Sequence, residues 1–490
     1  MSPVMEFVGI LLRLVARWFS WFVIAYFIII NVVYLLMLVS SFLAILRYKR
    51  RNRFFDSEII IQSEFSTPIS VLAPAFNEEA TIVENVNSLR KLNYSTMEVI
   101  IINDGSQDGT MATLIREFGL KKSHQVYVRK IPTKPVRGIY LSDRPDLKNL
   151  VVVDKENGGK ADALNVGINV SRYPLFCAID ADSILEDDAL RMVARPFLED
   201  DTVIAVGGIV RIANGCEIDH GRVRKVGLSK KHLPTFQVVE YLRAFLSGRM
   251  GWSAMNGLLI ISGAFGLFRK NIVLDCGGYR HDTVGEDMEL VARMHRHMYE
   301  NDLPYRVVFV PDPVCWTEAP ETIKILSRQR NRWHRGLLDT LYIHKKMIFN
   351  PRFGVIGLFS IPYYLMFELL GPVIETLGYV TIVFSYFYGA VNLKLLGAFF
   401  LVAIIYGMLF SVGAVLLEEI SFHKYRRGRD LLKLVAYAVI ENFGYRQMTV
   451  VWRIKGIWDY VLGERTSWGQ MQRTGFTAGP KKESPVPAGE

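Results

Sequence analysis

Charge disappears from the chain between residues 18 and 46. The run exceeds the roughly 20 apolar residues that carry a helix across a bilayer. It is longer than the apolar core of a signal peptide, and no small-residue cleavage site follows it. It therefore predicts a retained membrane helix. Arg47, Lys49, Arg50, Arg51 and Arg53 come directly after it, and a basic cluster there predicts that the next domain is cytosolic. Residues 5–16 are apolar but interrupted by Arg13, with Arg17 close behind. They predict a segment lying along the interface rather than crossing it.

Past Pro68 the pattern becomes that of an α/β domain. Residues 69–75 read as a buried strand, and 78–89 have helical spacing with Ile82, Val86 and Leu89 on one side. Further strands are predicted at 97–102, 150–153 and 174–179, with helices at 110–118 and 160–170. Such alternation predicts a mostly parallel sheet, whose ligands bind beyond the carboxyl ends of the strands. Asp104 and Asp180 stand just past two such ends.

The apolar texture returns near the C-terminus. Residues 336–349 are amphipathic. Residues 353–391 carry only two charges, Glu368 and Glu375, and Pro372 predicts a split into two crossings. Residues 395–417 make a further span. Lys424, Arg426, Arg427 and Arg429 then precede a weaker apolar stretch, 431–443. This count puts the basic loop outside, against the positive-inside rule, unless one segment is re-entrant or interfacial. Acids inside an apolar segment are costly and face protein or water, so Glu368 and Glu375 either line a polar path or mark a helix break. The expected organisation is a membrane-associated segment 1–50, an α/β domain 66–336, an interfacial helix 337–352, membrane and interfacial helices 353–463, and a mobile tail 464–490.

Composition agrees. Half of the 490 residues are hydrophobic and the mean hydropathy is +0.20, high for a soluble enzyme. The net charge of +10 suits nucleic acid, anionic lipid or a phosphate-bearing substrate. Basic residues flank the apolar spans, and no zinc-finger, homeodomain or basic-zipper pattern exists, which excludes nucleic acid and favours membrane lipids as partners. Cys177, Cys216, Cys276 and Cys315 form no CxxC pair, so neither a disulfide framework nor a zinc site is expected, and the set fits a reducing compartment.

The chemistry concentrates in a few short motifs. Asp180-Ala181-Asp182 places two carboxylates around a small residue at a strand end, suited to a hard divalent ion that takes further ligands from phosphates. A surface turn is the plain alternative. In Asp104-Gly105-Ser106 the carboxylate can accept from a ring N–H, or all three residues can serve a turn or helix start; Asp108 is the better cap, leaving Asp104 free. Asn157-Gly158-Gly159-Lys160 offers backbone N–H groups and a cation to phosphate, without P-loop spacing. Gly285-Glu286-Asp287 opens a helix, where acids are favoured by the dipole alone, yet a carboxylate there can also act as general base. Gln329, Arg332 and Trp333 share one helix face, suited to diphosphate and a sugar ring. Alternatively, with Arg328, Arg330 and Arg335, they make a basic face on lipid headgroups.

Taken together, these motifs resemble the membrane-integrated family 2 glycosyltransferases: the cellulose, hyaluronan, chitin and poly-N-acetylglucosamine synthases. The resemblance covers about residues 68–336 and the flanking helices, and Ala73-Pro74-Ala75-Phe76-Asn77-Glu78-Glu79 is similar to the family's opening motif. It implies an A-type nucleotide-sugar glycosyltransferase domain on the cytosolic face of the plasma (inner) membrane. It implies that Asp104, Glu78, Lys160 and Asp180 bind substrate, and that Asp182 with Asp180 holds Mg²⁺ or Mn²⁺. Asp287, with Glu286 beside it, would be the catalytic pair, and Gln329, Arg332 and Trp333 would line the diphosphate and acceptor site. Residues 262–266, Ser-Gly-Ala-Phe-Gly, stand where the family places an acceptor loop. The implied reaction inverts C1 of a UDP-sugar donor and extends a growing glycan chain, which passes through the protein's own helices, with accessory export subunits as further partners.

The sequence departs from the family in places. Gly285 stands where the cellulose enzymes carry Thr, which leans the donor from UDP-glucose toward UDP-N-acetylglucosamine. No PilZ-type cyclic-di-GMP pattern is visible, and the polar insertion 137–149 has no assigned role. Two other readings stay open: a one-step transferase acting on a lipid-linked acceptor, and a receptor or assembly subunit with a degenerate transferase domain.

Overall fold

The computed structural model describes residues 3–53, 66–219, 221–387, 393–425 and 427–463. The basic residue Arg426 and the tail 464–490 lie outside the described residues.

Apolar runs such as 99–102, 151–153 and 175–179 are buried on both faces, which a sheet covered by helices on each side requires. Ten strands form that sheet, in the order β3 (Leu120–Ser123), β4 (Val136–Ser142), β5 (Leu150–Lys155), β2 (Met97–Asp104), β1 (Ile69–Ala75), β6 (Leu175–Ile179), β11 (Phe265–Arg269), β8 (Val203–Ile212), β12 (Arg306–Thr317) and β7 (Ile184–Leu185). Its centre, β5-β2-β1-β6, is parallel. β11 runs antiparallel to both β6 and β8, and β8 pairs parallel with β12. A separate ribbon joins β9 (Glu217–Asp219) to β10 (Arg222–Lys225). The expected α/β class is therefore met by a mixed sheet, parallel through its centre. Residues 137–149 are less of an insertion than their polarity suggests. Residues 137–142 belong to β4, which pairs antiparallel with β3 and β5 and extends the sheet edge. Being at an edge, the strand keeps only Ile139 deeply buried, which is why its pattern looked polar.

Pro3–Arg53 is one helix of 51 residues. No break separates residues 5–16 from the span, because Arg13 and Arg17 are good helix formers. At about 1.5 Å per residue the helix is more than twice as long as the roughly 30 Å hydrocarbon core is thick. Its C-terminal part accordingly leaves the apolar layer and joins the core of the α/β domain, where Met37 and Ile45 pack. Tyr48 bonds Asp312, Arg51 pairs with Glu199, and Lys49 Nζ donates to the Ile420 carbonyl at 3.3 Å.

Among the described residues three helices are long and apolar enough to cross a membrane: Arg17–Arg51, Ile356–Phe387 and Leu396–Phe422. Pro372 does not divide the second into two crossings. It occupies the first turn of Gly371–Phe387, where its missing N–H is tolerated. One crossing fewer removes the topological conflict. Glu418, at the end of the third span, pairs with Arg211 of β8, and Lys424 lies 3.7 Å from Glu186, so the segment entering the basic loop rests on the α/β domain. Helices Gly428–Ile440 and Tyr445–Val461 pack against that domain and the spans. Nor does a separate interfacial helix begin at 337: Ile323–Ile343 is continuous, and Leu337 and Leu341 are buried.

Glu368 and Glu375 are both paired. Arg453 Nη2 donates to Glu368 at 3.0 Å and Arg446 Nη2 to Glu375 at 3.3 Å, both from helix Tyr445–Val461.

The Arg211–Glu418 pair, at 2.6 Å, has both side chains buried. Breaking such a pair from one side strands a buried charge and costs about 3–5 kcal/mol. Arg211→Met should therefore lower the unfolding midpoint of the detergent-solubilised protein sharply, and Arg211→Met/Glu418→Gln should recover most of the loss. Additive losses in the double variant would show that the two side chains do not act as a pair.

Candidate active site

Because β1 pairs parallel with both β2 and β6, Asp104 and Asp180 arrive at the same edge of the sheet. Their roles differ. Asp104 ends β2 with a buried carboxylate. Its Oδ1 accepts from Lys155 Nζ at 2.5 Å and from the Gly158 N–H at 3.0 Å, and Oδ2 accepts from the Gly159 N–H at 2.8 Å. Gly159 has φ +85°, a conformation glycine takes without steric cost. Lys155, also buried, reaches Asp162 at 2.6 Å. Asp104 is thus not left free, even though Asp108 does serve the following helix by accepting from the Thr110 N–H at 3.0 Å. Its carboxylate folds the Gly158-Gly159 turn that sets up Lys160.

Lys160 begins helix Lys160–Val170 and points across the sheet edge. Its Nζ donates to Asp180 and, at 2.9 Å, to the Gly263 carbonyl. The Gly263 N–H in turn donates to Asp287 Oδ2 at 3.0 Å. One residue thereby ties the strand-end motif, the glycine-lysine turn and the Gly285-Glu286-Asp287 motif together. Lys160, Ser262, Gly263, Tyr279, Glu286 and Asp287 line one pocket. Burial works against the charge of Lys160, but the carboxylates of Asp180 and Glu286 outweigh it and hold the ammonium above its ordinary pKa. Glu286 is buried, and burial, reinforced by Asp287, pushes its carboxyl above the usual range despite Lys160 and Arg332. A raised carboxylic acid beside a second carboxylate is a common arrangement for proton transfer.

Asp182 lies two residues beyond Asp180, on a turn whose Ala181 carbonyl is held by Asn85. Its charge acts on Tyr241 and Cys315. Glu78 sits on the loop after β1, accepting from the Thr81 hydroxyl at 2.9 Å. Among the described residues, neither Glu78 nor Asp104 lines the pocket that Lys160 and Asp287 line.

Gln329, Arg332 and Trp333 belong to helix Ile323–Ile343. Arg332 acts on Glu286 through its charge, and the Trp333 ring is 44% exposed, 6.5 Å from Tyr241. Arg330 and Arg335 are buried, so neither rests on lipid headgroups. Arg330 donates to Glu240 at 2.7 Å, stacks over Trp333 at 4.2 Å, and shares Glu240 with the Tyr445 hydroxyl at 2.9 Å. Gln329 accepts from Arg330 Nη1 at 3.2 Å. Sequence reading missed Glu240 and Tyr241, since a lone acid–aromatic pair in a helix carries no spacing signal.

The two late motifs meet backbone to backbone. A Cβ built on Gly285 would stand 2.8 Å from Gly336 Cα, and one on Gly336 would stand 2.7 Å from Gly285 Cα. No side chain fits between them, which gives a packing reason for glycine at position 285.

Among the described residues no three His, Cys, Asp or Glu side chains converge to hold a metal. Lys160 engages Asp180, and Asp182 is the second carboxylate of that strand end. That donor set suits an ion that keeps water and takes further ligands from substrate phosphates.

Residues 70–134 match the family described as glycosyl transferase family 2, and residues 141–336 match glycosyltransferase like family 2. Residues 278–445 match chitin synthase. The chain is 32% identical over 285 residues to a poly-beta-1,6-N-acetyl-D-glucosamine synthase of Staphylococcus epidermidis, covering 58% of each chain. It is 30% identical over 269 residues to the protein of the same name from Staphylococcus aureus strain COL, covering 55% of this chain and 54% of that one. It thus spans little more than half the length of these curated relatives. Among solved structures, a mannosyltransferase from Pyrobaculum calidifontis aligns with 18% identity and a TM-score of 0.48, over 85% of this chain and 99% of that one.

Gly285→Ala should lower the unfolding midpoint by an overpacking cost of about 1–3 kcal/mol. Gly336→Ala should also cost stability, although alanine in a helix interior normally gains about 1 kcal/mol over glycine. A midpoint raised by Gly336→Ala would mean that the backbones are not in contact. Glu286 gives a pH signature. Its folded pKa is raised, so its stabilising contribution is complete below the ordinary glutamate range and is lost as pH rises through the raised value. Glu286→Gln should therefore be more stable than the parent near neutral pH, and the difference in melting temperature should shrink on acidification. A difference that grows toward acid would contradict the shift.

Proposed function

We propose that this chain, whose residues 70–336 form a family 2 glycosyltransferase domain, is an inverting and processive β-glycosyltransferase. It polymerises UDP-N-acetylglucosamine at the cytosolic face and passes the product across the membrane. The observation that carries the reading is the Gly263 junction, which holds Asp287 and Lys160 on its two sides. The donor sugar is supported by the synthase names of the relatives and by the glycine at 285. The orientation is supported by the basic stretches 47–53 and 424–429, which adjoin the α/β domain where their spans end.

In the reaction an acceptor hydroxyl gives its proton to Asp287 as its oxygen attacks C1 of the donor. The C1–oxygen bond to UDP breaks on the opposite face, and UDP leaves with the electron pair. Gly263 fixes Asp287 for this role, and burial beside Asp287 raises the Glu286 carboxyl, which favours its protonated form. Lys160 and Arg332 carry positive charge to the side where diphosphate charge develops. Trp333 offers an exposed face to the acceptor sugar. Asp182, with Asp180, would hold Mg²⁺ or Mn²⁺, which neutralises diphosphate charge when bound.

Membrane vesicles containing the protein, given UDP-N-acetylglucosamine with Mg²⁺ or Mn²⁺, should yield polymer. UDP-glucose serves as the competing donor. Asp287→Asn should reduce turnover by at least about 10²-fold, as loss of a general base does. Polymer of undiminished length and rate from that variant would remove the proposed base, and single-sugar transfer by the parent would replace processive synthesis with one-step transfer.

A further inference from the structure

One cation beside the pocket has no role so far. Arg249 closes a run of π-helical turns, Leu242–Arg249, between helices His232–Tyr241 and Met250–Ala254. Such turns are frequent at functional sites. Its guanidinium lies flat over the Phe245 ring at 3.7 Å. Nη1 is buried and meets no hydrogen-bond acceptor, and no carboxylate pairs with Arg249 among the described residues. The buried arginines Arg330 and Arg211 are answered by Glu240 and Glu418. Burial lowers the Arg249 pKa to about 10, opposed by Tyr364, Asp287 and Tyr241. These three neighbours define its place. Asp287 is the proposed base, Tyr364 belongs to the membrane-side segment Tyr364–Leu369, and Tyr241 stacks on Phe245 at 5.2 Å and neighbours Trp333. Arg249 thus ends an aromatic row, Trp333-Tyr241-Phe245, on the side where the pocket adjoins the membrane helices.

We infer that Arg249 is a further substrate-binding residue: its guanidinium, whose Nη1 is buried, donates to an uncharged oxygen, hydroxyl or amide carbonyl, of the acceptor sugar and holds that sugar over Asp287. A buried donor without an acceptor is costly, and a sugar lying along the aromatic row supplies one. Lys160 and Arg332 already answer the diphosphate, whereas the acceptor has so far only the ring face of Trp333 and no hydrogen-bond donor. The inference rests on the transferase reading above, and it extends that reading to the acceptor.

The test uses the full chain in detergent and reads binding as well as turnover. A β-linked N-acetylglucosamine pentamer is titrated calorimetrically onto UDP-loaded protein, and UDP is titrated separately. Arg249→Met keeps the volume and removes the buried charge, so the fold should be retained with an unchanged or higher melting temperature. It should bind the pentamer at least tenfold more weakly, with UDP affinity within twofold of the parent. Arg249→Lys, which keeps charge but not the fork, should fall between. With turnover, Arg249→Met should raise the fraction of donor hydrolysed rather than transferred. Pentamer binding equal to the parent overturns the inference. So does selective loss of UDP affinity, which would assign the guanidinium to the diphosphate. A parent that binds the pentamer in an Arg249-dependent way but forms no glycosidic bond would support the site while ending the transferase reading.

Discussion

The geometry of the candidate site depends on the main chain of one residue, Gly263. Its carbonyl takes the Lys160 ammonium and its N–H takes Asp287. A side chain here would crowd both, since a Cβ would stand 3.1 Å from Lys160 Nζ and 3.3 Å from Asp287 Oδ2. Hydrogen bonds to charged groups are stronger and shorter than neutral ones. A backbone group also cannot swing away as a side chain can. The position of the proposed base relative to the strand-end carboxylates is therefore set by main chain, before any substrate group arrives.

Around that junction the protein uses buried charge in two ways. Lys155 with Asp104 and Asp162, Arg211 with Glu418, and Arg330 with Glu240 are closed sets in which each charge is answered. They act as structural pins, because a buried pair resists separation even where it adds little net stability. Lys160, Asp180, Glu286 and Asp287 instead share an unequal balance of charge. Burial and like charge push Glu286 toward its neutral form there, while Lys160 remains charged. The distinction separates Asp104 from Asp180, although both stand at the ends of the two strands that flank β1.

Much of this was legible in the sequence because it rests on local patterns. Strand ends at Asp104 and Asp180, the helix start at Lys160 and the helix face of Gln329, Arg332 and Trp333 follow from apolar runs and spacing. What was not legible depends on contacts between distant segments. Asp104 looked free, and it is consumed by Lys155 and the Gly158-Gly159 turn, which no spacing rule connects to it. Pro372 looked like a break, yet proline in a first helical turn is tolerated. Arg330 and Arg335 looked like a lipid-facing set until Glu240, some 90 residues earlier in the chain, was seen to answer Arg330. The third span's orientation likewise came from Arg211 and Lys424 touching acids across the domain boundary, not from hydropathy.

The helix that carries the last motif also joins the two halves of the molecule. On one side Gly336 meets Gly285, and Arg332 faces Glu286 through its charge. On another, Asn331 bonds Asp459 at 2.7 Å, and Gly456 lies so close that an added Cβ would stand 3.0 Å from the Asn331 carbonyl. Helix Tyr445–Val461 then reaches the apolar span through Arg453 and Arg446, which hold Glu368 and Glu375. The two acids that looked like a polar path through the membrane are the far ends of a chain of contacts that begins at Asp287. A rigid element touching both ends transmits displacement rather than absorbing it, because close-packed interfaces deform little. Movement of the membrane-side helices therefore cannot leave the Gly285–Gly336 contact untouched, and the spacing between the proposed base and Trp333 is coupled to how the spans are packed.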